Sequence, residues 1–407
     1  MYFQLAWRNI WRNPRRTTVI FIAIVMGIWI MISMAALMRG VADGMVRQAI
    51  KTLTGEIQIH HQGYRNDPVV ENSITDPSEL KPILDQLLPQ NAKWTARVRV
   101  NAIASNARHS SGVTLVGIDP LSEEQVSFIG KKAIIEGKFL DSQDTHGIIL
   151  GKALVEKFET RLGNKIVMMT QNTQKEIASR AFRIVGIFKA DMADTEKNFV
   201  FINLPEAQKM LQLDRGISEI ALILPKGHAI SDMATQIKSR LSSSYEVHTW
   251  RELLHALSAY LKMFDKSMQL WYMAVFIAMG FGIVNTMLMA VFERIREFGL
   301  LKALGMKSVS ILWQVLCESC LILVMGMGLG NFLSVLTVYV FNQKGIDLAF
   351  LAKGAEFVGM SRIIYPNIGW DDLLIVNLTV WGLGMVISLY PALKAARFSP
   401  VKAMSYY

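Results

Sequence analysis

TTVIFIAIVMGIWIMISMAALM, residues 17–38, is a run of 22 residues without a charge. As a helix rising about 1.5 Å per residue it is roughly 33 Å long, which matches a hydrocarbon core of about 30 Å. Residues 17–38 therefore read as a membrane span. Arg8, Arg12, Arg15 and Arg16 precede the run and Ser33-Met34-Ala35 resembles a small-residue cleavage site, so a secretory signal is the competing reading. A signal's apolar region is only about 7–15 residues, shorter than this run, which favours an uncleaved anchor.

Three further runs have the same character. Residues 267–292 carry no charge, residues 311–341 are interrupted only by Glu318, and residues 373–393 carry none. They explain why a chain of 407 residues is 52% hydrophobic and only 19% charged. Two cysteines exclude a disulfide-stapled secreted fold, and the apolar content excludes disorder. The net charge of +10 raises the question of nucleic acid, but its placement follows membrane topology instead. Residues 1–16 have four basic residues and no acid, 293–310 have four against two, and 394–407 three against none. Residues 39–266 carry 29 basic against 26 acidic, and 342–372 three against four, so these two segments face the opposite side. The expectation is a multi-pass inner-membrane protein with both termini and residues 293–310 in the cytoplasm, and no nucleic-acid partner.

The fold class expected is thus four transmembrane helices with a large mixed α/β periplasmic domain inserted between the first and second. Strand-like segments fall at Glu56–His60, Thr95–Val100, Val113–Ile118, Lys165–Thr170, Ala181–Phe188, Asn198–Ile202 and Glu219–Leu224. Helical patterns cover Ser78–Leu88 and Leu204–Leu213. Gly40–Leu53 and Trp250–Lys266 read as helices continuing the spans outward as a stalk.

Catalytic constellations are missing from the sequence. Gly151-Lys152 lacks the first glycine of a P-loop, where His146 stands, and is followed by Ala153 instead of Ser or Thr. No HExxH, GxSxG or paired CxxC occurs. His60 and His61 are neighbours on a strand and point to opposite faces, which does not make a metal site. Cys317 and Cys320 have CxxC spacing inside a span, where they read as small packing residues. The expectation is a chain that is not an enzyme and binds no metal.

Glu318 costs about 2.5–3.5 kcal/mol at mid-membrane depth on insertion scales, so something must offset it. Two readings stand: a hydrogen-bonded interhelix contact, with Gln314 as a partner one turn away, or a polar residue facing a transport path or a dimer seam. Gly326, Gly328 and Gly330 beyond it allow close helix approach. At the N-terminus Phe3, Trp7, Ile10 and Trp11 fall on one face and Arg8, Arg12 and Arg15 on another, as in a helix at the membrane surface before Pro14. The 293–310 loop exposes an apolar set, Phe298, Leu300, Leu301, Leu304 and Met306, with Gly299 and Gly305 permitting turns.

Three separated segments carry a likeness: Ala6–Thr17 (AWRNIWRNPRRT), Glu293–Met306 (ERIREFGLLKALGM) and Tyr390–Ala403 (YPALKAARFSPVKA). Together with the layout of one span, a large domain and three spans, the chain resembles the FtsX-like permeases of type VII ABC transporters. Within that family it looks most like the LolC/LolE lipoprotein-releasing group, on the large outer segment 39–266 with its Gly55–Tyr64 start, the Val116–Pro120 element and the lack of a fused ATPase. The resemblance implies a permease driven by a separate cytoplasmic ABC ATPase dimer, which holds ATP and Mg, while this chain binds no cofactor. It implies a second permease subunit, a lipid-anchored substrate, and a periplasmic carrier or adaptor. Arg294, Arg296, Glu297, Gly299, Leu300, Leu301, Lys302, Gly305 and Met306 become the ATPase-coupling residues. Met273, Met279, Met287 and Glu318 become the candidate substrate path. The alternative readings are adaptor-dependent export of a peptide or toxin, and control of a periplasmic cell-wall hydrolase.

Overall fold

The computed structural model describes residues 2–142, 144–225, 227–347 and 363–398. Residues 44–260 form one compact unit; residues 2–43, 261–347 and 363–398 form another.

In the second of these units, four helices are long and apolar enough to cross a membrane. They are the first (Pro14–Ala49), second (His255–Glu293), third (Ser308–Lys344) and fourth (Trp370–Arg397) spanning helices. Each expected span lies inside one of them. A preceding helix, Tyr2–Arg12, ends at Asn13, and Pro14 opens the first span, where a proline's missing N–H costs nothing. The bundle core is Ile24, Ile28 and Met31 of the first helix, Phe276 and Ile283 of the second, Val315 and Leu323 of the third, and Val376 and Val380 of the fourth. Lipid tails are as apolar as these side chains, so tight packing and interhelix hydrogen bonds hold the bundle instead of a hydrophobic drive. A Cβ on Gly326 would meet Ile24 at 2.5 Å and one on Gly330 would meet Ile28 at 2.9 Å, while Gly328 faces open space. Two of the three glycines thus serve close approach. Asn331 and Asn377 exchange amide hydrogen bonds of 2.7 and 3.0 Å between the third and fourth helices.

The large domain is built on ten strands: β1 (Ile57–His61), β2 (Lys93–Ser105), β3 (Ser110–Ile118), β4 (Ile134–Gly137), β5 (Gly147–Gly151), β6 (Lys165–Gln171), β7 (Ile177–Phe188), β8 (Phe199–Asn203), β9 (Glu219–Ile223) and β10 (Tyr245–Thr249). The 13-residue β2 organises them. Its later part pairs with β3 and β6, and the series β2-β3-β8-β5-β7-β6 returns to β2, closing a six-stranded barrel. Alternate residues fill the interior, among them Val98, Val100, Leu115, Ile148, Ile166, Phe182 and Val200. The earlier part of β2 pairs with β9, and β9-β1-β10 completes a smaller antiparallel sheet. Helices Leu80–Leu87 and Ile230–Arg240 cover that sheet through Leu80, Leu84, Met233 and Ile237.

Arg97 is the residue of β2 that pairs with both β3, opposite Ile118, and β9, opposite Glu219. Its fully buried guanidinium binds Glu123 bidentately at 2.8 Å, Glu219 at 3.0 Å, and the carbonyl of Leu53. Leu53 sits in a π-helical turn (Ile50–Thr54) that follows the first spanning helix, with φ of +67°, and Gly55 follows at +68°. Burial alone would push the Glu219 carboxyl up, but Arg97 and Arg99 outweigh it and hold the pKa below its ordinary value.

Two expectations change. Trp250–Lys266 is not one helix. Thr249 and Glu252 form a capping box on a short turn, Trp250–Leu253, and Leu254 breaks the chain before the second spanning helix starts. Secondly, residues 293–310 are not an open loop but hold a helix, Ile295–Ala303.

Candidate functional site

The helix Ile295–Ala303 between the second and third spans turns Ile295, Phe298, Gly299 and Lys302 inward, an i, i+3, i+4, i+7 face. Phe298 is only 2% exposed, so it belongs to the bundle core and not to the exposed apolar set. Gly299 lies inside the helix and makes no turn; Gly305, at φ +97°, does. Leu301 and Met306 pack half-buried against the core. The outward face is Arg296, Leu300 and Leu304, the two leucines 56% and 77% exposed.

Four anchors hold this helix. Glu297 accepts from Arg12 of the N-terminal helix at 3.0 Å, and from Arg294 at 3.3 Å. The hydrogen bond from Arg12 holds the Glu297 carboxylate below its ordinary range, against partial burial and with help from Arg294. Arg294 in turn donates to Glu318 of the third span at 3.1 Å, both side chains buried. Lys302 Nζ donates to the carbonyls of Ala396 and Phe398 at 2.6 and 2.8 Å, a cation on the C-terminal end of the fourth helix. Asn13 donates to Glu293 at 3.3 Å. The result is an ion-pair chain Arg12–Glu297–Arg294–Glu318 running from the surface into the bundle.

This geometry places three of the expected features. Arg294 points inward and donates to Glu318. Glu318 accepts from Arg294, while Gln314 Oε1, itself an acceptor, has no hydrogen-bond partner. Of Met273, Met279 and Met287, Met273 is the exposed one, at 56%. Met279 packs on Gly27 and Met287 accepts a hydrogen bond from Ser319 at 3.2 Å, so both are interior.

The other two motif segments meet at the same place. Ala6 and Ile10 are buried, Trp7 and Trp11 stack edge to face on the outside at 6.0 Å, and Thr17 Oγ1 bonds the Ile10 carbonyl at 2.7 Å. The apolar set of that helix therefore divides, Ile10 inward and the tryptophans outward; the Phe3 side chain lies outside the described set. Ala392, Ala395 and Ala396 pack inward beside Pro391, and Phe398 meets Phe292 edge to face at 6.0 Å. Residues 399–403 of that segment lie outside the described residues. Among the described residues no group of three or more His, Cys, Asp and Glu side chains is arranged to hold a metal. His60 instead bonds Gln58 and the Ser218 carbonyl within the large domain.

Residues 272–400 match the FtsX-like permease C-terminal family and residues 17–240 the MacB-like periplasmic core domain family. The chain is 22% identical to the lipoprotein-releasing system transmembrane protein LolC of Xylella fastidiosa, over 95% of this chain and 92% of that one. It is 23% identical to the lipoprotein-releasing system transmembrane protein LolE of Haemophilus influenzae, over 99% of both. Identity to the macrolide export ATP-binding/permease protein MacB of Escherichia coli is 24%, over 99% of this chain and 60% of the relative.

Proposed function

The chain belongs to the FtsX-like permeases with a MacB-like periplasmic core domain, an ABC transporter permease of the LolC/LolE and MacB type, and on that premise we propose that it releases lipoproteins from the inner membrane. The observation that carries the reading is the end-to-end match to LolC and LolE, against 60% coverage of the MacB relative, whose name includes an ATP-binding part. A separate cytoplasmic ATPase dimer binds the outward face of helix Ile295–Ala303, with Leu300 and Leu304 as apolar anchors and Arg296 beside them. Movement of that helix is passed on through its anchors: Glu297 to the N-terminal helix, Arg294 to the third span, and Lys302 to the end of the fourth. A two-state rearrangement of the bundle, biased by ATP binding, then moves a lipid-anchored substrate toward a periplasmic carrier. An acyl chain gains about 0.8 kcal/mol per buried CH₂ in the bilayer, which is why extraction needs ATP-driven work. The exposed side of the second span, with Met273, Phe281 and Met289, is the surface offered to that substrate.

The MacB-like core domain keeps adaptor-dependent export as a second reading. A release assay separates them. Spheroplasts carrying the wild-type chain should shed a radiolabelled lipoprotein to an added periplasmic carrier, and Leu300→Asp should abolish this while the protein stays folded in the membrane. Normal release of lipoproteins in cells lacking the chain, with accumulation of a soluble peptide or toxin, would replace lipoprotein release by export.

A further inference from the structure

In the large domain three segments border an open cavity of about 210 Å³: the π-helical turn Ile50–Thr54, residues 128–133 and residues 189–195. Main-chain hydrogen bonds fix them to one another. The Phe128 N–H donates to the Lys51 carbonyl at 3.0 Å, and the Lys189 N–H to the Ala133 carbonyl at 2.9 Å. The Phe128 ring, set edge to face on Phe188 and Phe201 at 5.7 and 6.3 Å, gives the cavity an apolar side.

Each segment contributes a cation: Lys51, Lys132 and Lys189 all line the cavity. None of the three has an ion-pair partner among the described residues, whereas Lys138, Lys152 and Lys197 of the same domain pair with Asp144, Glu156 and Asp194. The one carboxylate of the lining, Asp191, accepts from Gln48 Nε2 at 2.8 Å. Three cations and one anion leave the lining with a formal charge of +2. A cleft lined mainly by one sign of charge concentrates the field and draws in the opposite charge. A second observation is independent of charge. Thr195, only 6% exposed, also lines the cavity, and its Oγ1 makes no hydrogen bond to the described residues. Unlike Ser73 Oγ, which is sealed and unpartnered, this oxygen keeps its access to the cavity. A largely buried donor left open gains from an acceptor that a ligand brings.

We propose that this cavity binds a phosphate monoester, carried either by a soluble molecule or by a lipid headgroup. Such a group bears a charge of about −1.5 to −2 at pH 7, which matches the +2 of the lining. Its oxygens point several ways, so the three ammonium groups and the Thr195 hydroxyl can each donate to it, whereas a planar carboxylate offers only two oxygens. The Phe128 ring takes the carbon part of the ester. The site owes nothing to the transported substrate, and it stands whether the permease releases lipoproteins or exports another cargo.

The test uses the full chain in dodecyl maltoside, with the reactivity of each lysine toward an amine-directed ester read by peptide mass spectrometry. One arm adds inorganic phosphate, another phosphatidic acid in the micelles, and a third sodium acetate at the pH and ionic strength of the first. At a ligand concentration about ten times the dissociation constant, Lys51, Lys132 and Lys189 should react about tenfold more slowly, since only the free fraction is open. Lys165 and Lys238, which do not line the cavity, should be unchanged in every arm. Thr195→Val should weaken binding about tenfold, and Lys189→Gln should remove most of the protection of Lys51 and Lys132. A wild-type melting temperature shows that each variant is folded; if Thr195→Val fails that check, Lys189→Gln, at an exposed side chain, decides. Protection by inorganic phosphate assigns a soluble ester, and protection by phosphatidic acid alone assigns a lipid headgroup. Equal protection by acetate would show screening only, and no protection in either phosphate arm would leave three solvated lysines; each of these results overturns the site.

Discussion

Two buried arginines organise this molecule, and they are wired differently. Arg97 lies in the large domain, bonded to two carboxylates exposed no more than 1% and to a main-chain carbonyl, and the cluster reaches outward only through a loose 4.0 Å contact of Glu219 with Arg99. Arg294 lies in the membrane unit, and its ion pairs continue outward through Glu297 to Arg12. A closed cluster fixes geometry, whereas a chain of pairs that reaches the surface has a member whose partner can be exchanged at little cost. The first suits a joint that must not move, and the second a junction through which a partner's movement enters.

Substitution at Arg97 should have the strongest consequence. Arg97→Ala strands Glu123 and Glu219 in the interior, and removal of one partner of a buried pair costs about 3–5 kcal/mol. Thermal unfolding of the full chain should show it as lost protection of β2 and β9 amides to hydrogen exchange. Replacing the three residues together by Met, Leu and Leu should recover most of that stability, as uncharged packing of similar volume often does. A melting curve for Arg97→Ala like that of the wild type would remove the closed joint from the account.

Arg294→Ala should cost less, at most about 2.5–3.5 kcal/mol, the insertion penalty of one carboxylate, because Glu318 loses the cation opposite it. Adding Glu318→Gln should restore stability but not transport, since the link to the third span is still cut. Full transport in the double variant would show that the pair only neutralises charge.

A smaller effect is set by pH. Burial pushes the His60 imidazole below its ordinary 6.5, with Glu219 and the Ser218 carbonyl opposing. A lowered folded pKa means that stability is fully present above about pH 6.5 and falls as the pH drops through the folded value. Glu219, also lowered, adds a second loss at more acid pH, below the ordinary carboxylate value of 4.5. His60→Gln should flatten the first phase of a melting-temperature profile between pH 7 and pH 5, about the range in which an ordinary histidine titrates. An unchanged slope would exclude His60 as its source.

The smallest expected change in stability comes from Arg12→Ala at the exposed end of the chain, because surface pairs are screened by water. Its melting should match the wild type while ATP-driven release slows, and Arg12→Lys should restore part of the rate. Normal release in Arg12→Ala would cut the junction short at Glu297.

What was legible in the sequence follows from the same physics. Long charge-free runs and β-branched stretches announce spans and strands, and seven strands lie where those stretches fall. β5 (GIILG) and β10 (YEVHT) escape because glycine or polar residues fill them, and four-residue β4 is too short to show alternation. The orientation of Met279 and Met287 was hidden because a helix apolar on every side has no amphipathic phase to read. The coupling segment misled through Gly299; the Ile295, Phe298, Gly299, Lys302 spacing was the signal for a helix. No local pattern joins Arg97 to Glu123 and Glu219, or Arg12 to Glu297, since residues so far apart in sequence meet only through the fold.

The outward face of helix Ile295–Ala303 is the proposed docking place of the ATPase. A photoreactive amino acid placed in turn at Leu300, Leu304 and Phe298, in cells that contain the whole transporter, tests it directly. The ATPase should be captured from Leu300 and Leu304, and Phe298 should crosslink only within the permease, to the bundle. Capture of the ATPase from Phe298 but not from Leu300 or Leu304, or from none of the three, would contradict it.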